Sequence, residues 1–180
     1  VFVAARGMDA GLHAALVEQL ASLLDEIPAY AHPGIKVVLT GILVDSLPML
    51  AELEKNGIAV AGDLTVAESA RFIEDVPGRI DPFDSLAELW ERVRGVSVAL
   101  DPRKERGGML VDLVRERGAD GVIACTVKFC EEEEFDLPIL KQQLASERIP
   151  LLALEMESQE TASEQIATRI QAYAEMMEGR

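Results

Sequence analysis

Two cysteines, Cys125 and Cys130, are the residues of this chain best suited to soft-metal or redox chemistry. Thiolate is the ligand that iron–sulfur clusters and many zinc sites require. Cys125 closes a short apolar run, Val122-Ile123-Ala124-Cys125, and reads as a small buried hydrophobe. Cys130 lies in the polar stretch that follows, between Lys128-Phe129 and four consecutive glutamates, Glu131 to Glu134. A nucleophilic role for Cys130 would need a nearby base or cation to form thiolate. Lys128 is available, the glutamates oppose it, and His13 and His32 sit far away in the amino-terminal segment. A lone cysteine is as readily an ordinary loop thiol. Two thiols and two distant histidines also fall short of a self-contained zinc or cluster site.

Other polar groups have two readings each. Glu131 to Glu134 could hold a hard cation, but they also fit a solvated charge run opening a helix, where the dipole favours them. Asp45 and Asp63 each follow a strand-like run and are candidates for acid–base work, metal binding or helix capping. Thr40-Gly41 ends a strand-like run and permits close backbone approach, which makes Gly41 a candidate contact for a bound group, with Lys128 as a second. Neither G-x-G-x-x-G nor a P-loop occurs, so nucleotide binding has no specific support.

The elements that would position these residues follow from the apolar pattern. Leu12 to Ile27 has helical spacing and is closed by Pro28 and the Ala31–Gly34 cluster. Ile35 to Thr40, rich in β-branched residues and bounded by glycines, reads as a fully buried strand of the kind found in parallel sheets. A helix opening near Pro48 and stopped at Asn56-Gly57 comes next, then a short strand, Ile58 to Ala61. Thr65 and Glu68 have the spacing of a capping box and predict a helix to about Glu74. Ser85 to Val93 and Gly108 to Arg117 are helical, and Val96 to Leu100 is either loop or a short edge strand. Gly121 to Thr126 and Pro150 to Leu154 are the third and fourth strands, with a helix from Pro138 to Glu147 between them. A long amphipathic helix, Thr161 to Met177, closes the chain.

Repeated β–α units with right-handed crossovers give an α/β fold. The expected form is an open, doubly wound, parallel four-stranded sheet of flavodoxin or Rossmann type, order 2-1-3-4, with helices on both faces. Its crevice lies at the carboxyl ends of strands 1 and 3, where the winding reverses. The loops that reach that crevice are Gly41–Ser46 and Thr126–Phe135, and Cys130 arrives there by topology alone. Residues 1–34 read as a helical linker from a missing amino-terminal domain, and residues 35–180 as the flavodoxin-like domain. The opening VFVAARGMDAG, without a methionine, reads as mid-protein sequence.

Composition narrows the function classes. The chain has 180 residues, 49% of them hydrophobic and 4% aromatic, enough for one domain with a substantial core. A net charge of −15 repels phosphate backbones and anionic bilayers, which argues against nucleic-acid and membrane partners. No apolar run approaches the roughly 18 residues of a membrane span. Two cysteines make no disulfide framework and no secretory signal opens the chain, so a cytoplasmic setting is the default.

A series of short words goes further. VVLTG at Val37–Gly41, GDL at Gly62–Leu64, ARF at Ala70–Phe72, Asp81-Pro82, ADGVI at Ala119–Ile123, KFC at Lys128–Cys130 and FDLPILK at Phe135–Lys141 occur in order. RIPLLALE at Arg148–Glu155 and QIATRIQAYAEMM at Gln165–Met177 continue the series. Together they resemble the carboxyl-terminal half of the 2-hydroxyacyl-CoA dehydratase D-component / benzoyl-CoA reductase family over nearly the whole chain from Ile35.

The resemblance implies two flavodoxin-like domains per subunit, with a [4Fe-4S] cluster held between them by cysteines of both. It implies that Cys130 is the ligand from this half and that the others lie on the missing domain. The implied activity is elimination of water from a (R)-2-hydroxyacyl-CoA, or reduction of an aromatic acyl-CoA, after low-potential electron transfer to the thioester. The implied partners are a homologous second subunit and an ATP-dependent activator. On this reading the fragment alone is inactive and colourless. The chain departs from many family members at Thr65 and within Val96–Arg106, where cysteines are common and none occurs here, and at Gly62-Asp63, where an acidic pair is frequent. Two other readings stay open: a non-catalytic relay or interaction subunit of the same family, and an unrelated small-molecule-binding domain of flavodoxin type.

Overall fold

The computed structural model describes residues 7–28, 31–44, 46–99, 101–157 and 164–179. The chain divides into two compact units, Val1–Pro33 and Gly34–Arg180. In the first, helix α1 (Ala10–Asp25) is capped by Asp9, whose Oδ1 accepts from the amides of Gly11 at 2.9 Å and Leu12 at 3.1 Å. None of its residues is buried.

The second unit is built on four parallel strands: β1 (Ile35–Gly41), β2 (Ile58–Thr65), β3 (Gly121–Val127) and β4 (Leu151–Met156). Their order is β2-β1-β3-β4, the expected 2-1-3-4 arrangement. Helices α2 (Leu47–Lys55), α3 (Pro82–Arg92), α4 (Arg106–Arg117), α5 (Glu131–Ser146) and α6 (Glu164–Glu178) complete the unit. Alternation along the central strands divides the core in two. Val37, Leu39, Ile123 and Cys125 pack with Met49 and Leu53 of α2 and with Ile170 and Tyr173 of α6. Val38, Val122 and Ala124 pack with Leu110 and Val114 of α4 and with Leu140 and Leu144 of α5. Successive strand side chains point to opposite faces. A strand with apolar side chains on both faces is therefore covered by helices on both sides, as β1 and β3 are.

Several local expectations change or are decided. The second strand runs on to Thr65 instead of ending at Ala61. Thr65 does not cap a helix; it ends β2, and only a short 3-10 turn, Ser69–Phe72, follows. The reason is Asp63. Its Oδ2 accepts from the Thr65 amide at 3.1 Å and hydroxyl at 2.7 Å, and from the Ser69 hydroxyl at 2.7 Å. These bonds keep Thr65 at the strand end and draw the following chain back to Asp63 at Ser69. The helix expected from Pro138 begins at Glu131 and carries Pro138 inside it. The described part of Val96–Leu100, residues 96–99, forms turns and no strand. Ser85–Val93 shifts to Pro82–Arg92, with Pro82 in the first turn and Asp81 accepting from the Phe83 amide at 2.8 Å.

Candidate functional site

The carboxyl ends of β1 and β3 lie side by side, with Gly41 paired to Cys125. The approach is very close. A Cβ on Gly41 would stand 2.1 Å from the carbonyl oxygen of Cys125, and the residue adopts φ +142°. Both conditions require glycine. The Gly41 carbonyl then accepts from the Val66 amide at 3.0 Å, joining the β1 and β2 ends.

β3 ends at Val127 and turns sharply into α5. The Cys130 amide donates to the Val127 carbonyl at 3.1 Å, and the Glu134 amide to the Cys130 carbonyl at 3.1 Å. Phe129 sits in the turn at φ +64°, unusual for a residue with a side chain, and its ring is 91% exposed. Cys130 is the N-cap residue of α5, partly buried, and its side chain makes no capping bond. Its thiol donates to Glu132 Oε2 across 3.6 Å.

Cys125, five positions earlier, is fully buried, and its thiol faces Met49 Sδ at 3.8 Å. Burial, aided by the charge of Glu133, pushes its pKa up from 9.0 to about 12. It is a core residue with no thiolate at neutral pH, as its sequence context indicates.

The other predicted residues are distributed as follows. Lys128 ion-pairs with Glu157 across the ends of β3 and β4, and its amide donates to the Met156 carbonyl at 2.9 Å. Asp63 ties the loop after β2 to Thr65 and Ser69. Asp45 lies outside the described residues. His13 and His32 belong to the first unit. Among Glu131 to Glu134, three are exposed and one is not. Glu133 is 1% exposed and bonds Arg106 at 2.8 Å. That pair is absent from the sequence reading. A run of like charges hides which member faces the core; only the helical phase against Leu137 and Leu140 signals it.

Arg106 joins the group from the first position of α4. Its Nε and Nη2 donate to Thr40 Oγ1 at 3.1 and 3.0 Å, and the Thr40 hydroxyl donates to the Leu64 carbonyl at 2.9 Å. Beside Arg106, a small cavity of about 10 Å³ is lined by Asp101, Lys104 and Asp136. An open groove of about 350 Å³ runs between α4 and α5 past Gly107, Gly108 and Gln143. Cys130 lines neither.

As a donor set, the described residues bring one accessible thiol to the crevice, and nowhere do three His, Cys, Asp or Glu side chains gather as a metal site. An iron–sulfur cluster takes four thiolates. One such thiol is short of that set. No described helix is long and apolar enough to cross a membrane.

Residues 1–177 match the family model described as 2-hydroxyglutaryl-CoA dehydratase, D-component. The chain is 33% identical to lactoyl-CoA dehydratase subunit beta of Anaerotignum propionicum, over 98% of this chain and 48% of that protein. It is 37% identical to the (R)-phenyllactyl-CoA dehydratase beta subunit of Clostridium sporogenes, over 94% of this chain and 45% of that one. It is 30% identical to (R)-2-hydroxyglutaryl-CoA dehydratase subunit beta of Acidaminococcus fermentans, over 89% of this chain and 44% of that one. The chain thus spans about half the length of the curated relatives it matches. The family model covers nearly the whole chain, and the chain belongs to the 2-hydroxyglutaryl-CoA dehydratase D-component family.

Proposed function

We propose that this chain is the part of a 2-hydroxyacyl-CoA dehydratase or related acyl-CoA reductase subunit that offers Cys130 as one thiolate to a [4Fe-4S] cluster. The remaining ligands come from outside the described residues. The observation that carries the reading is the placement of Cys130: an accessible thiol in the turn after the central strand β3, at the winding switch, heading a helix. When bound, the cluster supplies one-electron transfer at low potential. The chain's own residues hold and orient the ligand. The Val127–Cys130 turn sets its position, and Gly41 keeps the neighbouring strand end free of side chain. Gly41 and Lys128 border the same crevice and are proposed as contacts for the bound group or the acyl chain.

The substrate class is an acyl-CoA, by analogy with the names of the relatives. The proposed partners are an amino-terminal domain, a homologous second subunit and an ATP-dependent activator. The proposed setting is the cytoplasm, in keeping with two free thiols. Anaerobic reconstitution of the full-length protein tests the assignment. Cys130→Ser should lower bound iron and change the visible and EPR spectra; unchanged iron and spectra would refute it.

A second reading within the family is a relay or interaction subunit, with the catalytic cluster on the other subunit. The incomplete donor set among the described residues favours keeping it. Absence of further cysteines in the full-length protein would support it. Membership of the family removes the unrelated small-molecule domain.

A further inference from the structure

One buried arrangement links the carboxyl ends of β1 and β2 to the helix that Cys130 heads. Arg106 is 7% exposed and spends all three guanidinium nitrogens on it, two on Thr40 Oγ1 and one on Glu133 Oε1. Thr40 is fully buried, and its hydroxyl donates a hydrogen bond to the Leu64 carbonyl on β2. Glu133 stands one turn after Cys130 in α5, and its other oxygen, Oε2, has no hydrogen-bond partner among the described residues.

Stability alone does not account for this arrangement. A buried ion pair is often matched or bettered by apolar side chains of similar volume. A carboxylate with an idle buried oxygen is a further cost. A guanidinium offers something an apolar residue does not: donors in a fixed planar fork that hold two acceptors at a set separation. Here the acceptors belong to the strand end next to Gly41 and to the first helical turn after Cys130. That turn also fixes the thiol. The Cys130 carbonyl accepts from Glu134, and the thiol donates to Glu132, both residues flanking Glu133. Cys130 has no capping bond of its own to hold it.

We propose that Arg106 is a positioning residue for Cys130, acting through Glu133 and braced on Thr40. The proposal rests on Cys130 being the working group of the crevice, as read above. It does not depend on which metal group the thiol meets.

Alkylation of Cys130 by iodoacetamide in the folded, cluster-free full-length protein, followed peptide by peptide by mass, provides the test. Rates are taken across the pH range of thiol ionisation, so that the plateau (position and access) separates from the midpoint (charge). Buried Cys125 is the internal control for global opening. In Arg106→Met the Cys130 plateau rate should rise by about threefold or more, the change expected when a constraint worth a fraction of a hydrogen bond is lost. Glu133→Gln still accepts from the guanidinium and should keep the plateau near wild type. Arg106→Lys keeps the cation but loses the fork; it should fall between the two, and it serves if Arg106→Met does not fold.

A folded Arg106 variant with a wild-type plateau overturns the proposal, however much stability it has lost. Failure here is separate from failure of the ligand reading. A cluster that survives Cys130→Ser sinks the ligand assignment, and the alkylation result still decides the positioning role.

Discussion

Two thiols five positions apart meet opposite conditions. The segment carrying Cys125 is fully buried strand, paired on one side with Gly41 of β1 and on the other with Leu154 of β4. The turn carrying Cys130 is partly open, strained at Phe129, and continues into a helix N-terminus. The same functional group is inert in the first place, with its pKa raised to about 12, and chemically available in the second. A change in backbone direction, with no change in residue type, separates packing from chemistry. Glu133 connects the two regions, since its charge helps to raise the Cys125 pKa and its carboxylate ties the turn that holds Cys130 to Arg106.

The contrast can be attacked where the regions are joined. Arg106→Met leaves Glu133 as a buried, unpaired carboxylate, and should cost about 3–5 kcal/mol in urea unfolding. Arg106→Met combined with Glu133→Leu should recover most of that loss. A double variant no more stable than the single one would show that the pair is not the source. Gly41→Ala presses a methyl onto the Cys125 carbonyl and forbids the φ of +142°. It should cost about 2–4 kcal/mol and raise Cys125 labelling by native-state thiol exchange. Unchanged Cys125 protection would mean that β1 yields without disturbing β3.

Cys125→Ala should cost about 1–2 kcal/mol through lost packing against Met49. It also tests the alkaline limb. Below pH 9.0 both folded and unfolded wild-type chains keep the Cys125 proton; from there to about 12 the unfolded chain loses it and the folded chain does not. Wild-type stability should therefore fall as pH rises through that window, and Cys125→Ala should lack this part of the slope. Urea midpoints taken at several alkaline pH values decide it. The smallest effect belongs to the open thiol. Cys130→Ser should change stability by no more than about 0.5 kcal/mol, because the thiol has no capping bond to lose. A larger loss would mean that Cys130 is a structural residue and would weaken the contrast.

The sheet was legible because its central strands carry apolar side chains on both faces. Val37 to Leu39 and Val122 to Cys125 turn apolar side chains to both faces, and only a two-sided burial accommodates them. The position of Cys130 followed from topology. Less legible was whatever depended on side chains meeting across the fold. Asp63 was visible as an acid after a strand, but its capture of Thr65 and Ser69 depends on the loop's path. Arg106 lies 27 residues from Glu133 and 66 from Thr40, and no local pattern relates them. Glu133 was concealed among identical neighbours. The start of α5 was missed because Pro138 resembled a helix opening, whereas the helix already runs from Glu131 and tolerates the proline.

The bare α-carbon of Gly41 has one more consequence. Where Gly41 of β1 meets Cys125 of β3, a hydrogen atom takes the space of a methyl group. The approach of the two strands there is thus set by something missing from the sequence, like a gap left by an omitted spacer. From that contact β3 runs only two more residues, roughly 7 Å of extended chain, before the turn that carries Cys130. Over so short an arm the thiol has little freedom to drift from the strand. Any wedge inserted at Gly41 would tilt the arm at its root, and the displacement would arrive at Cys130 almost undiminished.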